Sequence, residues 1–128
     1  MKKVLLFSIL TSFLLVQSCK EKEETPTATI TFISPAEHTH FMAGDEINIK
    51  ATIEASTAIH GWNLSIIHGS DQSILFEKDS HEHAQNLNID ESWSVPSPIT
   101  SGAIYVKLEA IINHEGDKVD KSLELHIH

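Results

Sequence analysis

Ile47, Ile49, Ala51 and Ile53 alternate with Asn48, Lys50, Thr52 and Glu54, and this period of two is the tightest constraint that the chain places on its own fold. Successive side chains of an extended strand point to opposite faces, so the apolar set forms a buried face and the polar set a wetted one. Wound as a helix, the same run would scatter both sets around the axis. Ile104, Val106, Leu108, Ala110 and Ile112 repeat the pattern, and Val119, Leu123, Leu125 and Ile127 form a last strand. Shorter segments join them: Ile30 and Phe32 against Thr29 and Thr31; Trp62, Leu64 and Ile66 against Asn63 and Ser65 within residues 59–68; Ile74 to Phe76; and Leu87 with Ile89.

The punctuation between these segments is that of turns. Gly69-Ser70-Asp71-Gln72 and His114-Glu115-Gly116-Asp117 read as hairpin loops, because Gly, Asp and Ser tolerate or stabilise the turn conformations. Ser94-Val95-Pro96-Ser97-Pro98 cannot sit in a central ladder, since its prolines lack the donor N–H, and it reads as a crossover between sheets. About seven short strands with no helical window predict an all-β fold, an antiparallel β-sandwich of the immunoglobulin or fibronectin type III kind. Trp62 is expected in its core and Trp93 as a cap on the crossover.

The N-terminus obeys different rules. Met1-Lys2-Lys3 is a short positive segment, and Val4 to Val16 is an apolar run of the length and flank of a secretory leader rather than a bilayer span. Val16-Gln17-Ser18-Cys19, a small residue followed by the single cysteine of the chain, resembles the lipobox of bacterial lipoproteins. That resemblance implies cleavage before Cys19 and acylation of it, which anchors the protein to a membrane. The expected organisation is a lipoprotein signal peptide over residues 1–18, a disordered tether over 19–27 and an Ig-like domain over 28–128. Lys20-Glu21-Lys22-Glu23-Glu24-Thr25-Pro26-Thr27 has nothing apolar to bury, which suits a tether. Its acidic run resembles the surface-export signal of some Gram-negative lipoproteins; a solvated tether on an inner leaflet explains it equally well. The expected address is the bacterial outer membrane.

The formal net charge is −9, and loss of Lys2 and Lys3 with the leader makes the remainder more acidic still. Nucleic acid and anionic membrane surfaces repel such a chain, whereas cations suit it. Nine histidines are the compositional outlier, and imidazole is the commonest ligand for zinc, copper and nickel. There is no Gly-x-Ser-x-Gly elbow, phosphate loop, His-Glu-x-x-His helix or EF-hand loop, so a non-enzymatic protein without an organic cofactor is expected.

Ile33-Ser34-Pro35, Phe41, Gly44-Asp45 and Ile47 are similar to the opening of immunoglobulin-like domains in bacterial surface lipoproteins. Ile66-Ile67-His68 followed by a His-x-His pair resembles one family of such lipoproteins that has no assigned function. The resemblance implies the sandwich fold and the anchor, and supplies no reaction.

His38-Thr39-His40, His81-Glu82-His83 and His126-Ile127-His128 are His-x-His pairs. On a strand, residues two apart share a face with Cα atoms about 6.6 Å apart, so two imidazoles can converge on one ion. Alternating strand direction sorts the histidines by end of the domain. His60, His81, His83 and His114 are expected to form a metal site at one end; His38, His40, His68, His126 and His128 form a candidate second cluster at the other. A four-residue turn at 69–72 places His68 opposite Ser73 and His60 opposite His81, about 5 Å apart. His83 would add a third ligand, with Glu82, Glu115 or water completing a site that suits zinc or copper(II) rather than calcium. The expected function is capture or buffering of such a metal at the cell envelope. The alternative is a structural or adhesive module whose sheet edge meets a protein or glycan, with incidental histidines.

Overall fold

The computed structural model describes residues 25–128; the leader, Cys19 and most of the spacer lie outside the described residues. Eight strands follow in order: β1 (Ala28–Ser34), β2 (His40–Phe41), β3 (Glu46–Ala55), β4 (Gly61–His68), β5 (Ile74–Ser80), β6 (Asn86–Ser94), β7 (Gly102–Ile111) and β8 (Lys118–Ile127). They form a three-stranded sheet in the order β1-β3-β6 and a five-stranded sheet in the order β2-β8-β7-β4-β5. This is the expected immunoglobulin/fibronectin type III-like sandwich, with one strand more than the periodicity revealed. The addition, β2, is two residues long and pairs parallel to β8, with His40 opposite His126. Two residues are too few for any periodicity to show.

The alternation settles the layering. Ile47, Ile49, Ala51 and Ile53 of β3 are fully buried and meet Leu64 and Ile66 of β4, Ile104, Val106 and Leu108 of β7 and Leu125 and Ile127 of β8 in one core. Each such Ile, Leu or Val side chain contributes about 1.5–3 kcal/mol of burial, which fixes the parity of every strand: a register slip would drive the apolar face into water. Trp62 is in the core as expected, but its indole N–H is buried without a hydrogen-bond partner among the described residues. Leaving such a donor unmade costs about 1–3 kcal/mol. Trp93 is a core residue of β6 opposite Ile47 rather than a lid on the crossover. The crossover between the sheets is held instead by Val95, whose N–H donates to Asp45 and whose carbonyl accepts from Gly44. At the open side of the sandwich, Lys78 on edge strand β5 reaches Glu91 on edge strand β6 at 2.6 Å, placing charge where an edge would otherwise invite further strands.

The β4–β5 register and the start of the ordered domain also depart from the sequence expectation. The ladder between β4 and β5 begins as expected, with the His68 N–H donating to Ser73. It then shifts register, Ile67 pairing with Ile74 but Ile66 with Phe76. The bulge inserts Leu75, so Trp62 lies opposite Ser80, and continuing the ladder sets Gly61 rather than His60 beside His81. Thr27, expected in the disordered tether, exchanges hydrogen bonds with Ser56, so the ordered domain starts before β1.

β1 and β8 define the two ends. β1 begins where Ala55 donates to Gln85, Ile59 to Ala84 and His60 to Ile111, which gathers the β3–β4, β5–β6 and β7–β8 loops at the N-proximal end. β8 finishes at the opposite, C-proximal end beside β2. At the first end Gly61 has φ +151°, and a Cβ there would stand 2.5 Å from the Ser80 carbonyl oxygen. Only glycine fits. Gly61→Ala is therefore predicted to destabilise the domain by about 1–3 kcal/mol in urea unfolding and to shift the amide resonances of Ser80 and His81; an unchanged midpoint would refute the close approach.

Candidate metal centres

The parity of β8 builds the C-proximal centre. With Leu123, Leu125 and Ile127 buried, Glu124, His126 and His128 must emerge on the outer face of the five-stranded sheet. The segment before β2 is laid alongside: the His38 N–H donates to the Glu124 carbonyl, His126 to Thr39 and His128 to Phe41. Parallel pairing interleaves the two His-x-His motifs. Ring centroids run 5.8 Å from His38 to His126, 5.1 Å from His126 to His40 and 4.7 Å from His40 to His128, all stacked. His40 Nδ1 also contacts His128 Nε2.

Glu124 turns this stack into a donor set. Its Oε1 lies 3.8 Å from His38 Nδ1 and 3.3 Å from His126 Nε2, and the three residues bring one donor atom each within 4.8 Å of one another. Tetrahedral bonds of about 2.0–2.1 Å separate ligand atoms by about 3.3 Å, so small rotations bring all three onto one ion. Two imidazoles and a carboxylate can hold zinc and leave a fourth position for water or a neighbouring histidine. Glu124 was not among the ligands expected from the sequence. Its signal was there: it stands two residues before His126, on the face that the buried Leu125 and Ile127 leave outward.

His68 does not belong to this centre. It is 4% exposed, on the core side of β4, with Nε2 2.9 Å from the Thr100 carbonyl and Nδ1 accepting from the Ser70 N–H at 3.3 Å and facing Ser70 Oγ at 2.9 Å. Since Nδ1 accepts, Nε2 carries the proton and donates to Thr100. Both nitrogens are occupied, and the ring pins the β6–β7 crossover instead of facing a metal.

At the N-proximal end the topology gathers the four expected histidines. His60 and His114 have ring centroids 3.8 Å apart; His83 lies 4.8 Å from both His60 and His81, edge to face. The Nε2 atoms of His81 and His83 are 3.1 Å apart. Among the described residues, though, only His38, Glu124 and His126 bring three donor atoms within 4.8 Å of one another, so the N-proximal rings converge as a cluster without forming a closed donor set. Neither Glu82 nor Glu115 completes one. These rings sit on loops, whereas Glu124 and His126 stand on a paired strand.

Crowding has an electrostatic consequence. His60 is held below its ordinary value of 6.5, first by desolvation and then by the like charges of His114, His83 and His81, with Glu115 opposing.

No protein-family model matches the chain, and no curated protein matches it. Among solved structures it is similar to the fibronectin(III)-like modules of Clostridium thermocellum CbhA, at 19% identity over 77% of this chain and 94% of that one, TM-score 0.48. It is also similar to Spo0M, a sporulation control protein from Bacillus subtilis, at 9% identity over 82% of this chain and 50% of that one, TM-score 0.56. At these identities the likeness is one of fold alone.

The depressed His60 value sets a pH dependence. Between the folded value and 6.5 the unfolded chain binds the extra proton, so stability rises with pH across that window and is lost as pH falls below 6.5. Urea midpoints should drop on acidification through this range, and the drop should be shallower in His114→Gln, which removes a like-charged neighbour. An identical slope in the variant would show that the rings do not interact.

Proposed function

We propose that this is a lipid-anchored, non-enzymatic sandwich domain that captures or buffers a divalent transition metal, zinc or copper(II), at the bacterial cell envelope. The observation that carries the reading is the set formed by His38, Glu124 and His126, which bring one donor atom each within 4.8 Å of one another. Nitrogen-rich donors select zinc, copper or nickel over magnesium and calcium, which demand oxygen. The N-proximal histidines 60, 81, 83 and 114 are the second, looser place, suited to picking up an ion by closing loops around it. An acidic chain, net −9, draws cations to both. The anchor rests on the lipobox-like Val16-Gln17-Ser18-Cys19.

The C-proximal centre joins the segment before β3 to β8, which meet through the short β2–β8 pairing and three backbone hydrogen bonds. An ion there ties the two segments together, and because it binds the folded state it stabilises it, by about 2.7 kcal/mol at a hundredfold excess over Kd. Titration with zinc should therefore give saturable binding near micromolar or tighter and a raised melting temperature. Glu124→Gln and His126→Ala should each weaken the tighter event at least about tenfold, as even partners one step beyond the ligands do. His81→Ala/His83→Ala should affect only the other event. Absence of stoichiometric metal in the unaltered protein would favour the adhesive reading, in which a sheet edge meets a protein or glycan and the histidines are incidental.

A further inference from the structure

A further pair of imidazoles lies beside the His38–Glu124–His126 set without entering it. His40 and His128 have ring planes 12° apart and centroids 4.7 Å apart, and Nδ1 of His40 meets Nε2 of His128. Two lone pairs repel, so imidazoles that meet nitrogen to nitrogen hold a proton or a metal ion between them. Both residues are exposed, and no core packing stands in the way of an ion. Glu124 is engaged by His38 and His126, so this pair gains no oxygen donor from it.

The segment that carries His40 supplies a third donor. Phe41 packs against the core and fixes the parity there, so His40 and Met42 turn to the same, outer side. The β2–β8 register pairs His40 with His126 and Phe41 with Ile127. The His128 N–H donates to the Phe41 carbonyl, which carries that register one step further and sets Met42 beside His128. The Met42 N–H turns instead to Asp45 Oδ2, at 2.8 Å, as alternation along a ladder requires. Met42 is the only methionine after Met1, and it is 65% exposed, so filling the core is not its task. An unbranched thioether with three rotatable bonds reaches a neighbouring ring readily.

We infer that His40, His128 and Met42 form a copper(I) site. Thioether sulfur is soft and selects copper(I), whereas zinc suits the nitrogen and oxygen donors of the adjoining set. The C-proximal end then sorts copper by oxidation state, the divalent ion to His38, Glu124 and His126 and the monovalent ion to this trio. The inference extends the metal-capture reading to a site that shares none of its donors, so either can fail alone.

The test is anaerobic titration with copper(I) of the full chain in detergent micelles, carrying Cys19→Ser so that no thiol competes, followed at the 13C-labelled methyl of Met42. The expected result is a saturable shift of that methyl with copper(I) and none with zinc. His40→Gln should weaken the event read at the Met42 methyl at least about tenfold, and Met42→Leu, close in volume and on the surface, should weaken the event read at the His128 ring by as much. Zinc binding is read separately, at the Glu124 and His126 amides, so its failure is distinguishable from failure here. A Met42 methyl that copper(I) leaves in place, which reduces the histidine pair to a shared proton, would overturn the proposal. So would an unchanged copper(I) affinity in Met42→Leu, or an equal shift of the methyl with zinc.

Discussion

Burial of one face of every strand is the constraint on which everything else in this molecule rests. Once Ile47, Ile49, Ala51 and Ile53 pack against Leu64, Ile66, Val106, Leu108 and Leu125, the parity of each strand is settled, and with it the side to which every polar residue turns. Glu124 and His126 face outward together because Leu123, Leu125 and Ile127 face inward. The chemistry at the C-proximal end is thus a by-product of core packing on β8, held by a ladder that runs without interruption from Gly102–Ile127 to Ile111–Lys118. Such a backbone places ligand atoms more firmly than any loop can.

The two histidine clusters differ in kind for this reason. One takes two of its three donors from β8 and the third, His38, from the turn before β2, is mixed in donor type and already gathered; the other draws its rings from three loops and contains imidazole only. Loop-borne rings gain freedom to close around an ion and lose preorganisation, which costs affinity. The lowered His60 value keeps that ring neutral, and so able to ligate, to a lower pH than an ordinary imidazole. In the proposed reading, a domain with both kinds would span a range of affinities without any change of fold, and its acidic surface would concentrate cations around each.

Much of this was legible in the residues, and the failures have physical causes. Alternation identified seven of the eight strands, the crossover at Ser94–Pro98 and the sorting of His60, His81, His83 and His114 to one end, because these depend only on period and direction. Single-residue register did not survive, since the bulge at Leu75 carries no distinctive residue and moves the partner of His81 by one position. His68 was grouped with the wrong histidines because alternation was applied to its strand end but not to its parity: it shares the buried face of Trp62, Leu64 and Ile66. Glu124 is a carboxylate between two leucines, and His-x-His spacing alone does not mark it as a donor. Trp93 was placed at the surface because the prolines that follow it suggest an ending, whereas β6 stays in its ladder through Ser94.

The central claim is that an inward-facing leucine and isoleucine on β8 aim a carboxylate and an imidazole at a third donor from a separate segment. Anomalous diffraction at the zinc edge, from crystals grown with equimolar zinc, reads this directly. The account predicts a peak about 2.0–2.2 Å from His38 Nδ1, Glu124 Oε1 and His126 Nε2. A peak confined to the N-proximal loops, or none bonded to Glu124, would contradict it.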